Sequence, residues 1–219
     1  MMSNKKINAI EIITMYMNFV LENNTKPTTV YAFAKENKFE EALFYAHFGS
    51  FEAVEKSIFN AFYENTISVL EKSKDYQTFD ARNKLLSFYY TFFENLTANR
   101  SYVSAVINAD SMQLKKLSTL SELKNSFTTY IDSLEIETID LKQKNLAQIQ
   151  QKSIKESAWL QLLITIKFWL NDSSASFEKT DIFIEKSVNT SFDIIDTTPF
   201  KSIIDLGKFL YKEKMNLNF

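Results

Sequence analysis

Tight turns draw on glycine and proline, and this chain of 219 residues holds only two of each. Glycine supplies positive φ at no steric cost and proline presets φ for a turn. A fold built from many short hairpins would therefore lack its turn residues, which leaves long helices with few connections. No run alternates apolar and polar residues between turn signals as a half-buried strand would. With 45% hydrophobic and 24% charged residues, the chain can bury a full core as one or two domains. The fold class is all-α.

Apolar periodicity divides the chain into helices. Ile7 to Leu21 is the first, with Ile10, Ile13 and Val20 at helical spacing. Glu22 to Pro27 ends it, because the residue before a proline is pushed out of the helical region. Phe51 to Lys72 reads as a connecting helix, with Ser73 to Thr78 as a boundary. Thr78 to Ala98 carries apolar residues on all sides and belongs at the centre of a domain. Tyr102 to Asn108 and Leu114 to Leu134 follow, then a polar connection from Glu135 to Asn145. Gln148 to Leu170 and Asp181 to Ile195 form two long helices, and Pro199 opens a last segment to Met215. The domains expected are 1–50 and 51–219, with 51–73 as the connecting helix.

Several chemistries have nothing to work with. The chain has no cysteine, so disulfides, thiol catalysis and thiolate metal sites are excluded, and a reducing compartment is the natural setting. Its one histidine, His47, sits in Tyr-Ala-His-Phe, where packing or a phosphate contact suits it better than catalysis. The carboxylates Glu40, Glu41, Glu135, Glu137 and Asp140 lack a histidine partner, and there is no glycine-rich phosphate loop. The expectation is a protein that is not an enzyme and carries no metal or cofactor. Residues Met1 to Lys6 are polar, and no signal-peptide stretch follows. The longest apolar run, Ala158 to Leu170, is too short to span a bilayer. A cytoplasmic location is expected.

The stretch Thr28 to Val54 is the most informative. Val30, Phe33 and Ala34 make the face of one short helix, with Thr28 or Thr29 placed to cap it. Phe39, Ala42, Leu43 and Phe44 make the face of a second, and the Lys35 to Lys38 segment between them is only long enough for a turn. That is a helix-turn-helix. Thr-Thr-Val-x-x-Phe-Ala, Phe-Tyr-x-His-Phe and Gly-Ser-x-Glu-Ala-Val resemble the N-terminal domain of the TetR family of bacterial transcriptional regulators, over about a quarter of the chain.

The resemblance implies a TetR-like fold: a three-helix DNA-binding domain followed by a larger helical domain for ligand binding and dimerisation. Its DNA-facing positions correspond here to Thr28, Thr29, Lys38, Leu43, Tyr45 and His47, with a double-stranded operator as partner. Three departures oppose that role. Lys38 stands where the family usually has glycine in the turn, Glu40 and Glu41 open the second helix, and Phe51 replaces a common lysine. Residues 1–73 hold 7 Lys and 9 Glu, whereas phosphate-binding domains cluster cations on the binding face. DNA binding is expected to be weakened or lost.

For the second domain the resemblance implies a pocket for a small hydrophobic or lipid-like ligand. The candidate lining is aromatic: Phe88, Tyr89, Phe92, Phe93, Tyr102, Phe127, Tyr130, Trp159 and Leu163. A dense core would use the same residues. The resemblance also implies a homodimer, and the last two long stripes supply Leu162, Ile166, Trp169, Ile184, Val188, Phe192 and Ile195 for its interface. Lys201, Lys208, Lys212 and Lys214 border the apolar face of the final segment, which fits either closure of the domain or peripheral membrane contact. Two readings of function follow. One is a ligand-responsive transcriptional regulator. The other is a lipid- or isoprenoid-binding accessory protein without DNA activity, acting with a membrane-associated kinase-like partner, as in the TetR-like lipid-binding branch of ubiquinone biosynthesis.

Overall fold

The computed structural model describes residues 7–107, 118–136 and 144–196, and among these there is no strand. Ten α-helices follow in order: α1 Ala9–Asn23, α2 Val30–Glu36, α3 Glu41–Tyr45, α4 Phe51–Glu71, α5 Lys74–Thr78, α6 Ala81–Ala98, α7 Arg100–Val106, α8 Ser121–Ser133, α9 Lys144–Asn171 and α10 Glu178–Asp196. They form two compact units. The first holds residues 1–69 and 91–126, the second residues 70–90 and 127–219.

Helix starts follow the expected cap chemistry. Asn8 accepts from the Glu11 amide while Glu11 reaches back to the Asn8 amide, a reciprocal box that opens α1. Thr29 Oγ1 accepts from Ala32 N at 3.1 Å and starts α2. Ser73 and Asp80 do the same for α5 and α6. The segment 73–78, expected as a boundary, thus contains a short helix of its own. Both of the last long helices begin earlier than their apolar stripes, α9 at Lys144 and α10 at Glu178. The helix expected from Leu114 is seen from Ser121, after a 3-10 turn at Ser118–Leu120. The segment from Pro199 to Met215 lies outside the described residues, as does its proposed membrane contact.

The first unit is organised on one ring. Phe33 is fully buried, and its centroid lies 5.5–6.4 Å from those of Tyr16, Phe19, Phe39, Phe44 and Phe51. Edge-to-face geometry dominates, which aromatic quadrupoles favour. Beside this cluster Glu55 is buried on α4. Its carboxylate accepts from Tyr16 Oη at 2.7 Å and from Lys26 Nζ at 2.8 Å, so the buried charge is both paired and hydrogen-bonded. Burial, then the bond to Glu55, pushes the Tyr16 phenol far above its usual range.

The α2–α3 turn closes by a Schellman motif. Phe39 N donates to Ala34 O, Lys38 N donates to Lys35 O, and Phe39 packs on Phe33. The residue between, Lys38, has φ 60°, a left-handed conformation that glycine adopts freely and lysine does not. Lys38→Gly is therefore expected to stabilise the protein by about 0.5–1 kcal/mol, the relief of strain exceeding the greater freedom of glycine in the unfolded chain. A denaturant midpoint that falls on this substitution would contradict the strain argument. Gly49, by contrast, has no positive φ and nothing within 4 Å of a Cβ placed on it.

Between α9 and α10 the chain is strained at two adjacent residues, Ser176 (φ 52°) and Phe177 (φ 58°). Asp172 holds this turn. Its Oδ1 accepts from Ser174 N and Oγ at 2.8 and 2.7 Å, and its Oδ2 accepts from Thr180 N and Oγ1 at 2.9 and 2.7 Å. Burial raises its pKa, but the bonds from Ser174 and Thr180 outweigh it and bring the group down to about 2. The folded pKa lies below the unfolded one, so the stabilisation is complete above about pH 4 and is lost as pH falls toward 2. Asp172→Asn should lower the denaturant midpoint at neutral pH, and the gap to wild type should narrow from pH 4 downward. A pH-independent gap would mean that side-chain shape, and not charge, holds the turn.

Candidate functional site

The residues expected at DNA lie on a compact helix-turn-helix, with α2 and α3 packed on each other. Thr28, Thr29, Lys38, Tyr45 and His47 are exposed and Leu43 is half-buried. Three of them already have structural work. Thr29 caps α2, His47 Nε2 donates to Ile7 O at 3.0 Å, and Lys38 turns the chain. Tyr45 is 54% exposed, with its hydroxyl 3.4 Å from Glu41 Oε1. Helix α3 spans only five residues, and its first turn presents Glu40 and Glu41 with no side-chain cap. Among the described residues of the helix-turn-helix, 28–47, the cations are Lys35 and Lys38, both exposed. Lys26 is bound to Glu55 instead.

The nine residues expected to line a ligand pocket are all buried. Phe92, Phe93 and Tyr102 belong to the first unit, and the others to the second. In the second unit Phe88 stacks on Tyr130 at 4.9 Å and packs on Phe127 at 5.3 Å, while Phe127 meets Trp159 at 6.5 Å and Tyr89 at 6.4 Å. The Tyr130 hydroxyl donates to Lys84 O and accepts from Tyr76 Oη. These rings fill space with one another.

The second unit does hold a cavity of about 280 Å³, lined by other residues. Leu85 of α6 and Ile131 of α8 form one wall, with Ile136 just beyond α8. Helix α9 contributes Ser153, Ile154, Ser157, Ala158 and Gln161, and α10 contributes Ser191, Phe192, Ile194 and Ile195. The cavity arises where α9 presents Ser153, Ser157 and Ala158, side chains too short to reach the opposite wall. Gln161 spans the two long helices: its Nε2 donates to Ser187 Oγ at 3.2 Å, and Ser191 Oγ donates to its Oε1 at 3.0 Å. Arg82 of α6 fastens the far end of α10, with Nη2 2.8 Å from Asp193 Oδ1 and its guanidinium carbon 5.4 Å from the centre of the Phe192 ring.

Of the seven residues expected at a dimer interface, Leu162, Ile166, Trp169, Ile184 and Val188 are buried within the single chain at 0–1% exposure. Phe192 and Ile195 line the cavity. The stripe read from the sequence is thus the inward seam of the α9–α10 pair. A second stripe faces outward at i, i+4, i+8: Leu160 (56% exposed), Ile164 (47%) and Phe168 (36%), with Ile182 of α10 (50%) beside it. Phe168 stacks flat on Phe183 at 4.6 Å and 10°. Two open grooves of about 350 and 520 Å³ flank this pair, edged by Lys167, Lys179 and Lys186.

Among the described residues no group of histidine, aspartate and glutamate side chains could hold a metal ion, and no helix is long and apolar enough to cross a membrane. No curated protein matches the sequence. A family model described as tetracyclin repressor-like, C-terminal domain, matches residues 84–210, which is more than half of the chain and contains every wall of the cavity. With an all-α fold and that match, the chain belongs to the TetR family.

Proposed function

We propose that this protein is a homodimeric, ligand-responsive regulator of TetR type, with its effector cavity bounded by α6, α8, α9 and α10 and its dimer contact on the outer stripe of α9 and α10. The carrying observation is a helix-turn-helix in the same chain as a tetracyclin repressor-like C-terminal domain. An effector that enters the cavity touches Ile154, Ala158 and Gln161 on α9. The same helix carries Leu160, Ile164 and Phe168 outward. Cavity occupancy and the dimer contact therefore share one rigid element, a physical route for coupling the two.

One observation favours the second reading, a lipid-binding accessory protein without DNA activity. Glu40 is exposed at the start of α3, the helix that would enter the major groove. A carboxylate near phosphate replaces attraction with repulsion, and few counterions would be released. The regulator reading expects weak binding to random duplex with a shallow salt slope, strengthened several-fold by Glu40→Gln with Glu41→Gln. Titrations of both proteins at two salt concentrations, together with selection from a random duplex library, separate the readings. An enriched palindrome supports the regulator, whereas no enrichment and no response to the double substitution support the accessory protein.

A further inference from the structure

The geometry points to an uncharged amphiphile, a chain-like molecule with a hydroxyl or carbonyl head, as the occupant of the cavity in the second unit. This rests on the reading that the cavity is the effector site. Its volume, about 280 Å³, equals roughly nine waters of liquid, enough for a medium-length chain. Leu85, Ile131, Ile154 and Phe192 make the lining predominantly apolar. Its polar groups are neutral: Ser153, Ser157, Gln161 and Ser191. Three sit on one side of α9 at four-residue spacing, so a head group and a tail have separate places.

The charge argument decides against an ionised head. Among the described residues no lining residue is ionisable. Of the cations next to the walls, Lys84 and Lys152 line no part of the cavity, and two others are already committed. Arg82 lies 2.8 Å from Asp193, also contacts Asn189 at 3.4 Å, and rests over the Phe192 ring. Lys155, adjacent in sequence to Ile154, is 2.8 Å from Asp132. A carboxylate seated against the half-buried Gln161 would give up water without gaining a counter-charge, which is penalised. A hydroxyl or carbonyl loses little there, because the second N–H of Gln161 can meet it.

The test uses the full-length protein at pH 8, with decan-1-ol and decanoate as paired probes displacing an apolar fluorophore. Decan-1-ol should bind at least about tenfold more tightly, a difference of 1.4 kcal/mol. Ser157→Lys, at an exposed position that tolerates a long side chain, supplies the missing cation and should narrow or reverse that order by at least about tenfold. Ala158→Phe fills the cavity and should abolish binding of both probes. Equal or tighter decanoate binding by wild type, or an unchanged order in Ser157→Lys, overturns the head-group assignment while the effector reading stands. Decan-1-ol binding that survives in a folded Ala158→Phe, or its absence from wild type, overturns the site and the effector reading together.

Discussion

Ile164→Glu is expected to turn the proposed homodimer into a monomer without unfolding it. Ile164 is central in the outward stripe, between Leu160 and Phe168, and nearly half of it is exposed in the single chain. A glutamate there is solvated in the monomer and harmless. In a two-fold interface each substitution appears twice, and both carboxylates would be buried without partners. Each such charge costs several kcal/mol, so the dissociation constant should rise by a factor on the order of a thousand or more. Light scattering at micromolar concentration should return the dimer mass for wild type and the monomer mass for the variant, with equal helical content. Ile10→Glu serves as control, since Ile10 is 73% exposed on α1 of the first unit and should leave the dimer intact. A variant at Ile164 that stays dimeric would move the interface off this stripe.

That stripe was hidden in the sequence for a definite reason. Helix α9 is apolar on two sides, and periodicity detects a stripe without saying whether it faces its own core or a partner. The larger residues, Trp169 and Ile166 with Ile184 and Val188 opposite, suggested the interface, yet large side chains are also what a helix pair buries against itself. The cavity lined by α6, α8, α9 and α10 has no aromatic signature in the sequence for a related reason. Phe88, Phe127 and Trp159 are the prominent residues of the sequence, but rings of that size occupy volume. Empty space forms where residues are short, and Ser153, Ser157 and Ala158 mark it. Small residues spaced along a helix that faces other apolar helices were the usable signal. The helix-turn-helix was readable because its determinants are local: the Thr29 cap, Pro27 before it, and Phe33, Phe39 and Phe44 at contact spacing. Lys38 was visible as a departure from glycine, while its φ of 60° shows that the backbone kept the shape glycine would favour. Helix starts at Lys144 and Glu178 lay outside the apolar stripes, where periodicity carries no information.

The helix-turn-helix should fail first when its central ring is removed. Phe33→Ala deletes a side chain that touches five other rings across α1, the α2–α3 turn, α3 and α4. Truncating a fully buried phenylalanine costs about 3–5 kcal/mol, since the surrounding structure collapses only partly into the hole. Edge-to-face pairing adds roughly 0.5–1.5 kcal/mol for each ring pair lost, although these terms overlap with burial. A deficit of that size approaches the whole stability of a small domain. Phe33→Leu keeps most of the volume and should cost far less, about 1–1.5 kcal/mol, which separates lost packing from lost ring geometry. Hydrogen exchange is the measurement of choice. In Phe33→Ala, amides of α1, α2 and α3 should exchange at least a hundredfold faster, whereas those of α9 and α10, held in the other unit by Leu162, Ile166 and Trp169, should keep their wild-type protection. Equal loss of protection in both would show that the two units unfold as one cooperative body, and Phe33 would then report on global stability and not on its own unit.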